Sequence, residues 1–397
     1  MVMDLKSMQV EGGDMVSRQI VPSKIPSTSP YHEPWDLTEE ERQVFREMAQ
    51  RSRAAKAAAV RGEGPPPLHP INEPKLDAAD LMPMRDSTSL RALSIFSGGG
   101  GLDLGFWRAG FEHVASYEIM EAAAATLAKA HPEWTVHGGT SGDVRHVKWS
   151  SFRGQVDLIH GGPPCQPFSS AGRQRGEDDD RDMWPQFVRA VKAIRPRAFV
   201  GENVPALASA KFVTYVRDSI ITPLEKSYTI TPIVLRAQDF GVPQIRRRIF
   251  FVGFRSRTAA SRWRPPVSGS TPSMGMREAL GLPDIGVDDL SPTIRSSLTG
   301  PRHTTSILSS VSARRKFEQL QIWPNGVALT REAAHKFVAP NGHFRLAVQD
   351  VALLQGFPDD WPWVGAAYMA LGQIGNAVPP PLAYAVAESV SAALTSR

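Results

Sequence analysis

One cysteine stands in this chain, Cys165, within the run Gly161-Gly162-Pro163-Pro164-Cys165-Gln166-Pro167-Phe168-Ser169. A lone thiol closes no internal disulfide and builds no multi-thiolate zinc site. Structural cysteines favour apolar strands and helices. Here prolines fix the backbone and glycines let it turn tightly, a setting that presents a sulfur atom from a rigid loop. A lone cysteine is more often packing than chemistry, but this loop and the motifs around it favour a reactive thiol. Glu202, in Glu202-Asn203-Val204-Pro205, directly follows apolar Phe199-Val200. A partly desolvated carboxylate at a strand end has a raised pKa and can donate a proton near neutrality; pairing with an arginine is the other reading. The segment Gln244 to Val252 enters a strand, and period two puts Gln244, Arg246 and Arg248 on one face and Ile245, Arg247 and Ile249 on the other. Arginines entering an apolar core call for phosphates or a ligand carbonyl, unless the strand is an exposed edge.

A second constellation is built from glycines. Phe96-Ser97-Gly98-Gly99-Gly100-Gly101 follows a short apolar run and opens a helix, so its backbone can approach a ligand closely. NAD, FAD and S-adenosylmethionine sites all use such a turn, and so does a bare tight turn. Glu118 lies twenty-two residues after Phe96, where an acid can accept hydrogen bonds from ribose hydroxyls or simply be solvated. The pair favours an adenosine-containing cofactor. Asp143, in Gly142-Asp143-Val144, suits either an adenine edge or a turn.

These residues need a scaffold that brings strand ends together. Leu93-Ser94-Ile95-Phe96, Val114 to Glu118, Val156 to His160 and Ala198-Phe199-Val200 read as strands. Leu102 to Gly110, Ala122 to Ala130 and Met183 to Ile194 read as the helices between them. That alternation predicts a parallel sheet with helices on both faces, with ligands at the carboxyl ends of its strands. Residues 266–341 are rich in Ser, Pro, Thr, Gly and Arg and predict a separate loop-rich module. Helical patterning returns at Asp350 to Leu354 and at Leu382 to Leu394. Residues 1–34 lack periodicity and are expected to be poorly ordered. A helix near 38–61 carries acids early and bases late, as its dipole favours; it reads as a solvated helix on a linker, with contact to DNA as the alternative. Residues 62–88 read as linker.

The 397 residues are 42% hydrophobic and 21% charged, enough for a globular core and for two domains. No apolar run reaches the roughly eighteen residues that a membrane span requires, and Met1-Val2-Met3-Asp4-Leu5-Lys6 lacks a signal-peptide core. A cytoplasmic protein is expected. A net charge of +5 leans toward polyanions. Its distribution is more telling: from Arg236 to Arg264 eight arginines meet one acid, Asp239.

Taken in order, Phe96-x-Gly98-x-Gly100-Gly101, Pro164-Cys165-Gln166, Glu202-Asn203-Val204, Gln244-x-Arg246-x-Arg248 and Gly375-Asn376-Ala377-Val378 resemble the signature blocks of the DNA (cytosine-5)-methyltransferases. Phe357-Pro358-Asp359, preceded by Arg345 and Leu354-Gln355-Gly356, matches another block. The resemblance covers roughly 91–265 and 343–392. It implies an α/β fold: a Rossmann-like S-adenosylmethionine-dependent methyltransferase domain with a smaller loop-rich target-recognition domain. It implies Cys165 as the nucleophile that adds to cytosine C6, Glu202 as partner of N3 and the exocyclic amine, and Arg246 and Arg248 as ligands of the base carbonyl or nearby backbone. The target base would be flipped out of the duplex, since a stacked base is beyond reach of the thiol. For S-adenosyl-L-methionine it implies stacking by Phe96, ribose binding by Glu118, an adenine contact from Asp143 and closure by Asn376. Ser97, Gly98, Gly99, Gly100, Ile119, Val144, Pro164 and Ala377 complete that implied cofactor set, and Gln166, Ser169, Arg302, Arg314 and Arg315 the DNA-binding set.

Two departures stand out: Asp350 occupies a position where the family usually has Glu, and Arg247 is an extra charge expected to reach solvent or phosphate. The expected organisation is an extension over 1–88, a catalytic domain over 89–265, a target-recognition domain over 266–341, a hinge over 342–371 and a returning helix over 372–397. The expected partner is double-stranded DNA, with a monomeric enzyme, no metal and a companion restriction endonuclease. A transfer-RNA methyltransferase of the same family usually carries a Cys-Phe-Thr tripeptide that this chain lacks. A non-catalytic DNA-binding paralogue would typically have lost the cysteine or the glutamate.

Overall fold

The computed structural model describes residues 38–63, 66, 69–164, 182–267, 273–296, 304–336 and 338–396. Cys165, Gln166, Ser169, Arg302 and residues 1–34 therefore lie outside the described residues. The short apolar runs form strands β1 Arg91–Ile95, β2 Glu112–Glu118, β3 Val136–Gly138, β4 Leu158–Gly161, β5 Ala198–Asn203, β6 Thr229–Arg236 and β7 Arg247–Phe254. They pair in the order β3-β2-β1-β4-β5-β7-β6. β1 to β5 run parallel, whereas β7 is antiparallel to both β5 and β6. The strands read from the alternation thus pair in parallel as expected, and β7 adds an antiparallel strand. The segment between Arg236 and Arg247 is too short for the crossover that a parallel neighbour requires.

Among the helices are α1 Glu39–Val60, α2 Gly101–Arg108, α3 Glu121–Ala130 and α4 Trp184–Ile194. One face of the sheet is covered by α2 and the C-terminal helix Pro380–Thr395, which approach so closely that a Cβ on Gly105 would lie 2.6 Å from that of Ala383. The other face is covered by α4, whose Trp184, Phe187, Val191 and Ile194 join Phe199, Ile249 and Phe251 in one buried cluster. Each such side chain contributes roughly 1.5–3 kcal/mol by leaving water. The sheet is therefore held from both sides, and its strand ends are rigid platforms.

The module beyond β7 contains helix Val311–Gln319 and two parallel strands, β8 Ile322–Ala328 and β9 Phe344–Ala347. The β8–β9 pairing crosses the expected boundary at 341. Helix α1 is not a solvated arm. Its Val44 and Met48 are buried, Arg51 lies 5.1 Å from the centroid of the Trp323 ring, and Ser52 Oγ accepts the Trp323 indole N–H at 2.8 Å. The stretch expected as linker is also partly core: Leu76, Ala78 and Met82 are buried, and the Lys75 and Leu76 amides donate to Ala279 O. Among the described residues no helix is long and apolar enough to cross a membrane, and no group of three or more His, Cys, Asp or Glu could hold a metal ion.

Candidate functional site

The glycine turn sits at the carboxyl end of β1. Phe96 leaves the strand with φ 60°, in the left-handed region that costs a bulky residue strain, and Gly98 and Gly100 follow at φ 57° and 89°. The carboxylate of Glu118, at the end of neighbouring β2, ties the turn down. Its Oε2 accepts from Gly98 N and its Oε1 from Met120 N, each at 2.7 Å. Burial raises the Glu118 carboxyl above its ordinary range, against the pull of those two amides. A Cβ at Gly98 would meet nothing within 4 Å, so that backbone faces open space. Ile119 beside it is 44% exposed, unusual for a large apolar side chain. A buried acid, an open glycine and an exposed apolar side chain fit the ribose and the flat face of an adenosine.

Segments distant in sequence close around the turn. A Cβ on Gly101 would lie 2.1 Å from Val378 O, so the first turn of α2 sits directly against the segment after Asn376. Trp361 donates its indole N–H to Gly99 O at 3.2 Å, and Trp363 leaves no room for a side chain at Gly99. Beneath the turn, Asp103 accepts from Ser116 Oγ at 2.6 Å, and burial pushes its carboxyl up to about 6. Sequence reasoning missed Trp361, Trp363 and Asp103; the acid inside the apolar start of α2 was the available signal.

The loop leading to Cys165 begins at Gly161, the last residue of β4, beside the end of β5. Asn203 donates to Pro163 O at 3.0 Å and so pins this loop to β5. Glu202, one residue earlier, is buried and pairs with Arg248, Nε to Oε1 at 2.7 Å. Burial raises the Glu202 carboxyl, with Arg248 and Arg246 pulling the other way. Its second oxygen points at the loop, because a Cβ on Gly162 would lie 2.8 Å from Glu202 Oε2. The acid and the arginine of the two sequence readings are therefore one unit.

Arg246 shares the face of Arg248 but not its place. It is 1% exposed, and it donates to the carbonyls of Ile294 at 3.0 Å, Gly375 at 2.6 Å and Ala377 at 3.0 Å. Of the two partners expected for it, a base carbonyl or nearby backbone, the described residues give it backbone: its guanidinium positions the 375–377 segment that abuts the glycine turn. Gln244 is buried alongside and donates to Leu354 O and Gln355 Oε1. Arg247, on the opposite face, is exposed.

Asp143 serves a turn. It accepts from the backbone N–H of Arg145 and from its guanidinium, which holds the carboxyl below the usual range. Val144 is buried, Pro164 half-buried and Asn376 exposed at the end of helix Ala367–Asn376. Arg314 lies 3.7 Å from Glu318 and is half-buried, while Arg315 is exposed on the same helix, well separated in sequence from the sheet site. Asp350 is fully buried and satisfied, accepting from Ala347 N at 2.7 Å, Asn72 Nδ2 at 2.9 Å and Arg331 Nε at 2.8 Å. The shorter carboxylate therefore makes a complete set of contacts.

A family profile described as C-5 cytosine-specific DNA methylase matches residues 90–392. The chain is 35% identical over 312 residues to the Type II methyltransferase M.NgoMIV of Neisseria gonorrhoeae, a match covering 76% of this chain and 97% of that protein. It is 31% identical over 339 residues to the Type II methyltransferase M.NgoPII of the same organism, covering 77% and 96%. In fold it is similar to the Entamoeba histolytica methyltransferase EhMeth, with a TM-score of 0.55 at 14% identity over 78% of this chain and 99% of that one.

Proposed function

The chain belongs to the C-5 cytosine-specific DNA methylase family, and on that premise we propose that it methylates C5 of a flipped-out cytosine through a covalent adduct with Cys165. The observation that carries the reading is the buried Glu202–Arg248 pair, which faces Gly162 in the loop that leads to the thiol. S-Adenosyl-L-methionine, when bound, supplies a methyl group on a positively charged sulfur. Glu118, Ile119 and the backbone at Gly98 are the groups that would hold it, with Phe96 against the adenine. Trp361, Trp363 and Gln373 brace the turn from behind.

Cytosine C5 is a poor nucleophile until conjugation in the ring is broken. The Cys165 thiolate adds to C6, forming a C–S bond, while the electron pair of the C5–C6 double bond becomes available at C5. Negative charge that would build at N3 is relieved by a proton from Glu202, whose raised pKa keeps a proton within reach. Arg248 fixes the orientation of that carboxyl. After C5 takes up the methyl group, a base removes the C5 proton, the C5–C6 double bond re-forms as the C–S bond breaks and the thiolate leaves, and N3 returns its proton to Glu202. Because a stacked base is out of reach, the cytosine must swing out of the duplex. The exposed arginine on helix Val311–Gln319, Arg315, suits contact with the duplex. A monomer acting with a companion endonuclease is the biological setting proposed, as the Type II names of its relatives suggest.

Two linked measurements test this. Bisulfite sequencing of host DNA expressing the chain reports the modified cytosine and its context. A duplex carrying 5-fluorocytosine at that position then traps the enzyme, because fluorine does not leave as a cation. A stable adduct in the wild type and none in Cys165→Ser is expected. Methylation of ordinary duplex by an enzyme that forms no adduct on the fluorinated one would refute the addition step.

A further inference from the structure

The amino ends of β1, β4 and β5 and the carboxyl end of antiparallel β7 meet at the rim opposite the glycine turn and Glu202. An open depression there is lined by Arg153, Asp157, Ile194, Arg195, Arg197 and Arg255. All four arginines are exposed. The one carboxylate, Asp157, lies 3.5 Å from Arg91 and 3.8 Å from Arg197 and also accepts from Arg91 N, so its charge is already shared. Arginines 255, 257, 262 and 264 continue the basic run beyond β7 that the reaction leaves unused.

These guanidiniums are placed by the main chain. Arg153 Nε donates to Ala193 O at 3.0 Å, Arg197 Nη2 to Leu394 O at 2.7 Å, and Arg255 Nη1 to Arg195 O at 2.6 Å. Each guanidinium carries five N–H donors, so each keeps others for a ligand. Arg195 is the C-cap of α4 and sits at φ 56°. Glycine usually takes that place, and a side chain there costs about 1 kcal/mol. An arginine is thus held where the local backbone favours glycine, and its side chain lines the depression.

Gathered like charges repel until an anion joins them, and guanidinium forks match phosphate oxygens in pairs. The depression is separated from the carboxyl ends by the length of β5, about 20 Å at the rise of a strand. A duplex engaged at the carboxyl ends therefore does not occupy it. DNA is the polyanion this family acts on, and a duplex presents one charge per roughly 1.7 Å of axis. We propose that the arginine depression at the amino ends of β4 and β5 binds the phosphate backbone of a second DNA segment, apart from the one being methylated.

The test uses the full chain, a short fluorescent duplex, and the exposed-residue variants Arg153→Glu/Arg255→Glu and Arg153→Lys/Arg255→Lys. Wild type should bind two duplexes per chain. The glutamate pair should bind one, while methylating a short duplex within about twofold of wild type; the lysine pair, which keeps the charge, should retain the second duplex. A single duplex per wild-type chain, or two on the glutamate pair, overturns the proposal. So does saturation of the depression by inorganic phosphate or an acidic peptide with no second duplex bound.

Discussion

Replacing Glu202 with glutamine keeps the shape and one acceptor but removes the charge. The side chain is 8% exposed, and Arg248 Nε lies 2.7 Å from Oε1. The variant exchanges an ion-paired hydrogen bond for one from the same guanidinium to a neutral amide oxygen, a loss of about 1 kcal/mol. It also removes the desolvation penalty of a buried carboxylate, several kcal/mol per ion. Burial is the larger influence on this carboxyl and raises its pKa in spite of Arg248, so the second effect wins. The folded protein then holds a proton that the unfolded chain releases near 4.5. Stability from this group is complete below that value and is lost as pH rises through the folded pKa. Each pH unit in the window is worth about 1.4 kcal/mol. Glu202→Gln should therefore melt with wild type at acidic pH and above it at about pH 8. Methyl transfer should fall about 10²–10⁴-fold, the range for a lost general acid. Calorimetry across the pH range, paired with a labelled-methyl transfer assay, reads both. If the variant melts below wild type at about pH 8, the ion pair outweighs burial and the reasoning is wrong.

Gly101→Ala puts a Cβ 2.1 Å from Val378 O, and main chain yields poorly. A loss of about 1–3 kcal/mol is expected by denaturant unfolding, with weaker cofactor binding by calorimetric titration; unchanged values would mean the segment after Asn376 is free to move. Asp350→Ala strands Asn72, Ala347 N and one bond of Arg331 in the interior, and should cost about 3–5 kcal/mol. A change under 1 kcal/mol would show that Asp359, which also pairs with Arg331, carries the anchor.

Much of the placement of the candidate site was readable locally. The glycine turn, Glu118 and Glu202 each sit at the end of an apolar run, and such a run ends where a strand meets its cleft. The same logic placed α2, α3 and α4 between strands within one or two residues of where they lie. It faltered where a residue's partner is far along the chain. Arg246 and Arg248 share a strand face, as period two requires, yet Arg248 meets Glu202 while Arg246 meets Gly375 and Ala377. Residues 69–82 and α1 looked like solvated linker because their apolar positions are sparse, and they became partly buried because Ala279, Leu280 and Trp323 were brought to them.

Residue type and spacing thus settle which groups stand at strand ends and which face of an element is apolar, since those follow from backbone periodicity over a few residues. Which carbonyl fills a given guanidinium, whether a carboxylate is dry, and that four arginines crowd one rim of the sheet were decided by long-range packing. Hydrogen bonding and desolvation act through space, over contacts that no local pattern records.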